Sequence, residues 1–129
     1  MPCILAGPGV PQGRQVDTPI YSWDLYPTLC ALSGVGAPDG LDARSLVPLL
    51  ADPEHAHRKT IFSMYMDNQQ MVTDGRWKLI RCQTEGILHL QLFDLSEDPW
   101  EMTNLANDPS ADGPRRRLTE VLDHVGRNQ

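Results

Sequence analysis

Two histidines one residue apart, His55 and His57, are groups in this chain that could do chemistry. On a strand, imidazoles at that spacing point the same way and could share a metal ion. They lie in DPEHAHRK, residues 52–59, a charged stretch that reads better as a solvated linker. His89 and His124 fall on the polar sides of an expected strand and helix, which makes them surface residues. The three cysteines, Cys3, Cys30 and Cys82, are odd in number and lack C-x-x-C spacing. Neither a disulfide framework nor a zinc site is indicated. Each sits in an apolar pattern, where a buried thiol packs as a small hydrophobe. Arg76-Trp77-Lys78 offers different chemistry. Arginine and lysine suit oxyanions and tryptophan offers a flat stacking face, so the three could line a substrate rim. Strand alternation sets Trp77 and Lys78 on opposite sides, so at most one of those two serves a site.

Several elements must position these groups. Residues 3–6 form a short apolar run bounded by Pro2 and Gly7, suited to a strand buried on both faces. A glycine- and proline-rich loop follows. Ser22 is placed to cap a helix over residues 22–32, with Leu25, Leu29 and Leu32 as its inward stripe and Gly34 as its stop. Ser45 opens a second short helix that turns Leu46, Leu49 and Leu50 inward. From Thr60 the period changes to that of strands, over residues 60–66, 70–73, 76–82 and 87–95. Asp74-Gly75 is a type I′ hairpin signal, and residues 83–86 make the next turn. Leu88, Leu90 and Leu92 alternate with His89 and Gln91, giving one buried and one wet face. Asp98-Pro99 has the form of a helix start, running to about Asn104-Leu105. A final helix begins at Asp112 and Pro114 and ends at Gly126, with Leu118, Val121, Leu122 and Val125 on one face.

The bulk numbers fit a folded chain. Its 129 residues are 40% hydrophobic and 22% charged, which suits a globular domain and not a disordered one. Three tryptophans each bring a large apolar area to bury. A net charge of −6 argues against a nucleic-acid footprint. Arg115-Arg116-Arg117 has acidic neighbours at Asp112 and Glu120 and is expected to be a solvated face. No apolar run reaches the length of a membrane span, and the first seven residues are too short for a signal peptide. The concentration of glycine and proline in the first third has the character of a piece cut from a larger domain.

Residues 73–81 (TDGRWKLIR) and 92–106 (LFDLSEDPWEMTNLA) together resemble the C-terminal module of the sulfatases, within the alkaline-phosphatase-like hydrolases. Gly7-Pro8-Gly9, Asp17-Thr18-Pro19, residues 24–29 (DLYPTL) and residues 40–46 (GLDARSL) are similar to the segment leading into it. The resemblance covers roughly residues 2–106 and rests on the joint order of these blocks. It implies an α/β fold with an α+β second half. Residues 1–55 would be the terminal strand and helices of the large α/β domain. Residues 56–129 would be an antiparallel-sheet subdomain packed by a C-terminal helix.

The resemblance also implies a chemistry, in which calcium or magnesium and a formylglycine hydrolyse sulfate esters. That formylglycine derives from C/S-x-P/A-x-R, and no cysteine or serine of this chain opens such a motif. Asp67-Asn68 is similar to a family metal pair, but Gln69 stands where glycine belongs. A polar loop is the reading preferred there. Asp24, Asp42, Arg44 and Asp94 match recurring motif positions and are expected to be structural. No catalytic, cofactor or metal residue is therefore expected, and Arg76, Trp77 and Lys78 remain the rim candidates. The chain is expected to be an inactive supporting tail, lacking the N-terminal sulfatase domain as its partner. Alternatives are a non-catalytic binding or assembly module, or the tail of a phosphonate or phosphodiester hydrolase. The strand at 3–6 and the Leu25 stripe would lack partners, and self-association is expected from them.

Overall fold

A computed structural model describes residues 3–66 and 68–126. The chain divides into two compact units, residues 1–59 and 60–129, where the sequence reading sets the division at 55.

In the second unit four strands run in chain order, β1 Ile61–Tyr65, β2 Gln69–Thr73, β3 Trp77–Thr84 and β4 Ile87–Asp94, every neighbour antiparallel. The register aligns Phe62, Val72, Leu79 and Leu92 as one row across all four strands. That row faces helix α3, Asp112–Gly126, which delivers Leu118 and Leu122 fully buried against it. The two periods foreseen from sequence, two for the strands and 3.6 for the helix, meet in this layer. Leu90 and Leu88 share the Leu92 face with decreasing depth, and Leu88 at the hairpin end is 56% exposed.

Both hairpins form, but the turn chemistry is exchanged. Asp74 keeps a negative φ, so Asp74-Gly75 is not a type I′ turn. Its carboxylate instead accepts N–H bonds from Arg76 at 3.0 Å and Trp77 at 2.7 Å, which sets a wider loop. Positive φ at both central residues occurs at Glu85 (51°) and Gly86 (80°), between the paired Thr84 and Ile87. The expected helix after Asp98-Pro99 is absent, and residues 99–103 form a closed loop. The Asp98 carboxylate accepts from Thr103 N at 2.7 Å, and Glu101 has φ 56°, which no helix tolerates. That wrapping turns Trp100 outward.

Asn104 closes the β4 edge. Its side chain accepts from Leu92 N at 3.0 Å and donates to the Leu90 carbonyl at 3.1 Å, and Leu105 N reaches the Leu92 carbonyl at 2.8 Å. A carboxamide thus stands in for a further strand. Arg115 and Arg117, expected in solvent, are engaged as well. Arg115 donates to the Ala106 carbonyl at 2.6 Å, and Arg117 pairs with Asp74 at 2.6 Å, tying α3 to the β2–β3 turn.

The first unit has little regular structure. Residues 3–6 are not a strand, and Ile4 is 92% exposed, because no described segment offers them a ladder to pair with. Cys3 is consequently exposed, while Cys30 and Cys82 are half-buried. Ser22–Asp24 is a 3₁₀ turn entered from Tyr21, followed by α1, Leu25–Leu32, and later by α2, Val47–Ala51. Gly34 with φ 71° stops α1 as the sequence suggests. The buried face of α1 is not the leucine stripe: Pro27 and Thr28 are inside with Asp24, while Leu29 is 56% exposed. Leu46 and Leu49 are buried as expected, and Leu50 is half-buried. Two tryptophans contribute less burial than their type suggests, since Trp23 and Trp100 are both exposed. Among the described residues no helix is long and apolar enough to cross a membrane.

The row of buried leucines sets one expectation for the second unit. Leu79→Ala should cost about 2–5 kcal/mol in urea unfolding, because it empties the centre of the row. Leu88→Ala should stay within about 0.5 kcal/mol. Asn104→Ala should cost about 1–3 kcal/mol, by unpairing the Leu92 N–H and the Leu90 carbonyl.

Candidate functional site

Among the described residues a dense polar cluster is built around Asp24, which is fully buried. The 3₁₀ turn folds its carboxylate back onto the chain entering it, so that Oδ2 accepts from Tyr21 N at 3.0 Å. Oδ1 accepts from Arg44 N at 2.8 Å. Arg58 forks across both oxygens, Nη2 to Oδ1 at 2.6 Å and Nε to Oδ2 at 3.2 Å. His57 Nε2 lies 3.4 Å from Oδ2. Thr28, one turn on, donates to the Asp24 carbonyl at 2.6 Å and accepts from Leu46 N at 2.8 Å. Arg44 Nη1 reaches the His57 carbonyl at 2.8 Å and Arg58 Nη2 the Asp42 carbonyl at 3.0 Å. The Arg58 guanidinium also lies 4.7 Å over the Tyr21 ring, which stacks on Trp23 at 4.3 Å.

Burial by itself would raise the Asp24 pKa. The Arg58 guanidinium, the Arg44 and Tyr21 N–H groups and His57 outweigh it, and hold the carboxyl at about 2. Such a carboxylate is satisfied from within. Its neighbours are cations and N–H donors, the reverse of the oxygen-rich shell that calcium or magnesium requires. Among the described residues no three His, Cys, Asp or Glu side chains gather where an ion could sit. The residues present therefore do not fit a catalytic metal. Asp67, half of the Asp67-Asn68 pair, lies outside the described residues, and the Asn68 carbonyl accepts from Gln83 N at 2.7 Å.

His57 corrects the sequence reading. Expected in a solvated linker, it is buried against Asp24, whereas His55 is exposed. The signal available was the charge order around it, since an Arg directly after a His can present two donors to one acid. Asp42 remains exposed and contributes its carbonyl.

The rim candidates lie in the second unit, where Trp77 and Lys78 face opposite sides of β3. Arg76 is bound to Asp94 through Nη2 at 2.8 Å and Nε at 3.1 Å, yet its side chain is 61% exposed. Arg76, and after it Ser96, hold the Asp94 carboxyl at about 2. Trp77 is half-buried on the α3 side, with the Arg76 guanidinium 5.5 Å from its ring. Lys78 Nζ bonds both Glu101 oxygens, at 2.8 and 2.7 Å. Arg76 and Lys78 are thus both paired with a carboxylate, and Arg76 keeps the more exposed side chain, 61% against 23%. A crevice of about 590 Å³ beside β4 is lined by Cys82, His89, Gln91, Asn104 and Asn107. A second, of about 580 Å³ in the first unit, is lined by Arg14, Gln15, Asp17, Leu46 and Leu49 among others.

The pH dependence of the Asp24 cluster has a definite sign. Its folded pKa of about 2 lies below the ordinary 3.8, so its contribution is complete above about pH 4 and disappears as pH falls towards 2. Asp24→Asn should destabilise the chain by about 3 kcal/mol at pH 7, by leaving Arg58 buried without its counter-charge. The gap between the two proteins in chemical unfolding should close between pH 4 and 2.

Comparison with known proteins places this geometry in a family. The model for the C-terminal region of N-sulphoglucosamine sulphohydrolase matches residues 1–128. Human arylsulfatase K is 33% identical over 118 residues, 82% of this chain and 22% of that protein. The solved structure of a 2-O GAG sulfatase superposes with a TM-score of 0.75 and 31% identity, over 93% of this chain and 28% of that one. A phosphonate monoester hydrolase of Agrobacterium radiobacter does so with a TM-score of 0.60 and 28% identity, over 82% and 24%. The chain spans about a fifth of the curated relatives it matches. Signature motifs, meander, covering helix and match over almost the full length agree: the chain belongs to the sulfatase family, as its C-terminal portion.

Proposed function

We propose that this chain serves a hydrolase of sulfuric esters, acting on carbohydrate or aryl sulfates, as the supporting tail of the reacting domain. The observation that carries this reading is the match of a sulfatase C-terminal model to residues 1–128, in a sequence with no C/S-x-P/A-x-R motif. The saturated Asp24 cluster adds support, because that carboxylate is already satisfied by internal donors. In this reading the formylglycine and the calcium or magnesium ion belong to the preceding α/β domain. Residues 1–59 complete that domain and residues 60–129 form the subdomain beside it. The exposed Trp23 of the 3₁₀ turn and Tyr26, Leu29 and Leu32 of α1 supply an apolar surface for that domain to cover. Arg76 stands at the substrate rim, where its exposed guanidinium can meet a sulfate without a buried desolvation cost.

A second reading keeps the architecture and changes the ester. Likeness to a phosphonate monoester hydrolase favours it, and an arginine rim suits phosphate as well as sulfate.

The isolated 129-residue chain should not turn over an aryl sulfate, with or without added calcium or magnesium. Grafted in place of the matching tail of an active sulfatase, it should support folding and turnover. In that chimera Arg76→Ala should raise KM for a sulfated sugar by about fivefold or less, with kcat nearly unchanged. Turnover by the isolated chain, with contaminating enzyme excluded, would overturn the proposal. A chimera active on aryl phosphonates and inactive on sulfates would favour the second reading.

A further inference from the structure

Charged side chains of the second unit are tied to one another: Arg76 to Asp94, Lys78 to Glu101, Arg81 to Asp123 and Arg117 to Asp74. The crevice beside β4 is built otherwise. It holds about 590 Å³, in the size range of small-molecule sites, and all of its lining belongs to the second unit. Strand alternation sets His89 and Gln91 on the face of β4 opposite to Leu92, and the register puts Cys82 directly across from His89. His89, Gln91 and Asn107 are exposed, and among the described residues no protein group bonds their side chains. Asn104 is held in place: its side-chain oxygen accepts from Leu92 N and Ala106 N, both at 3.0 Å, and its nitrogen donates to the Leu90 carbonyl. One of its two side-chain N–H groups is left over. Leu88 and Leu90 supply an aliphatic wall.

The lining contains no lysine, arginine, aspartate or glutamate. An anion finds no cation there, and a hard metal ion finds no carboxylate. An apolar ligand would take water from three carboxamides, Gln91, Asn104 and Asn107, without replacing their bonds. A carboxamide offers donor and acceptor in one uncharged plane, and neutral imidazole offers one of each. The group that answers both at once is a hydroxyl, itself donor and acceptor. A ring carrying several hydroxyls, with C–H edges for the leucine wall, is an uncharged sugar. His89 and Gln91 stand about 7 Å apart along the strand, on the scale of one such ring. We propose that the crevice between β4 and residues 104–107 binds an uncharged carbohydrate unit through Gln91, Asn104, Asn107 and His89.

This inference does not rest on the sulfatase reading, because its readout is binding by the full chain and not turnover. Nitrogen-15 NMR during titration with cellobiose and with N,N′-diacetylchitobiose follows the side-chain amide resonances. At least one of the two sugars should shift Gln91, Asn104 and Asn107 saturably, with a millimolar dissociation constant. Gln91→Ala and Asn107→Ala change exposed positions and should each weaken binding by about threefold or more. Gln83→Ala removes an exposed carboxamide from the opposite face of the sheet and should leave the affinity unchanged. Glucose 6-sulfate should bind no tighter than glucose, since the crevice has no cation for the sulfate. The absence of a saturable shift with both disaccharides would overturn the proposal, as would shifts confined to residues outside the crevice. So would an affinity unmoved by both crevice alanines, or tighter binding of glucose 6-sulfate than of glucose.

Discussion

A carboxylate removed from water must be saturated by donors, and the first unit is arranged around that demand at Asp24. Leaving such a charge unpaired would cost several kcal/mol. Three separate segments, residues 21–28, 42–46 and 57–58, are brought together to supply N–H groups and a guanidinium fork. This explains why α1 buries Asp24 and Thr28 and leaves its leucines outside. With few strands or long helices in the unit, the polar cluster and the Leu46–Leu49 contact define how its loops are placed.

The second unit uses the same device at its margins while apolar packing fills its centre. Asp74 accepts from the turn it closes and pairs with Arg117 on α3. The Asp98 carboxyl, lowered by the Thr103 and Met102 N–H groups foremost, organises the loop after Pro99. Asp94 fixes Arg76 and Ser96 at the end of β4, and Asn104 completes the β4 edge. The residues that make this tail recognisable are therefore tied to their own backbone and to their own arginines. A motif can recur for the geometry of a turn as readily as for chemistry, and Asp24, Asp74, Asp94 and Asp98 each accept from donors of their own turn or arginine.

Strand alternation and the α3 stripe were legible in sequence because both depend on a local period that burial on one side enforces. The row Phe62, Val72, Leu79 and Leu92 follows from it. Other features depended on distant partners. Residues 3–6 have the composition of a buried strand, but a ladder needs a neighbour. The leucine stripe of α1 gave the wrong inward face because Arg44 and Arg58, twenty and thirty-four residues away, capture Asp24. His57 is buried for the same reason. Asp74-Gly75 carried the residue pair of a type I′ turn, but its carboxylate had better donors in Arg76 and Trp77 N–H. Of the rim candidates, sequence gave the correct opposition of Trp77 and Lys78. It could not foresee that Glu101 would neutralise Lys78, because that contact depends on the loop Asp98 creates.

The central claim is that the signature acid of this chain is occupied by internal donors and is not a ligand for anything else. Carbon-13 NMR of the Asp24 side-chain carboxyl over a pH series tests it directly. The account requires a midpoint near 2 and no response to added calcium or magnesium. A midpoint near the ordinary 3.8, or a resonance that shifts on titration with either cation, would contradict it.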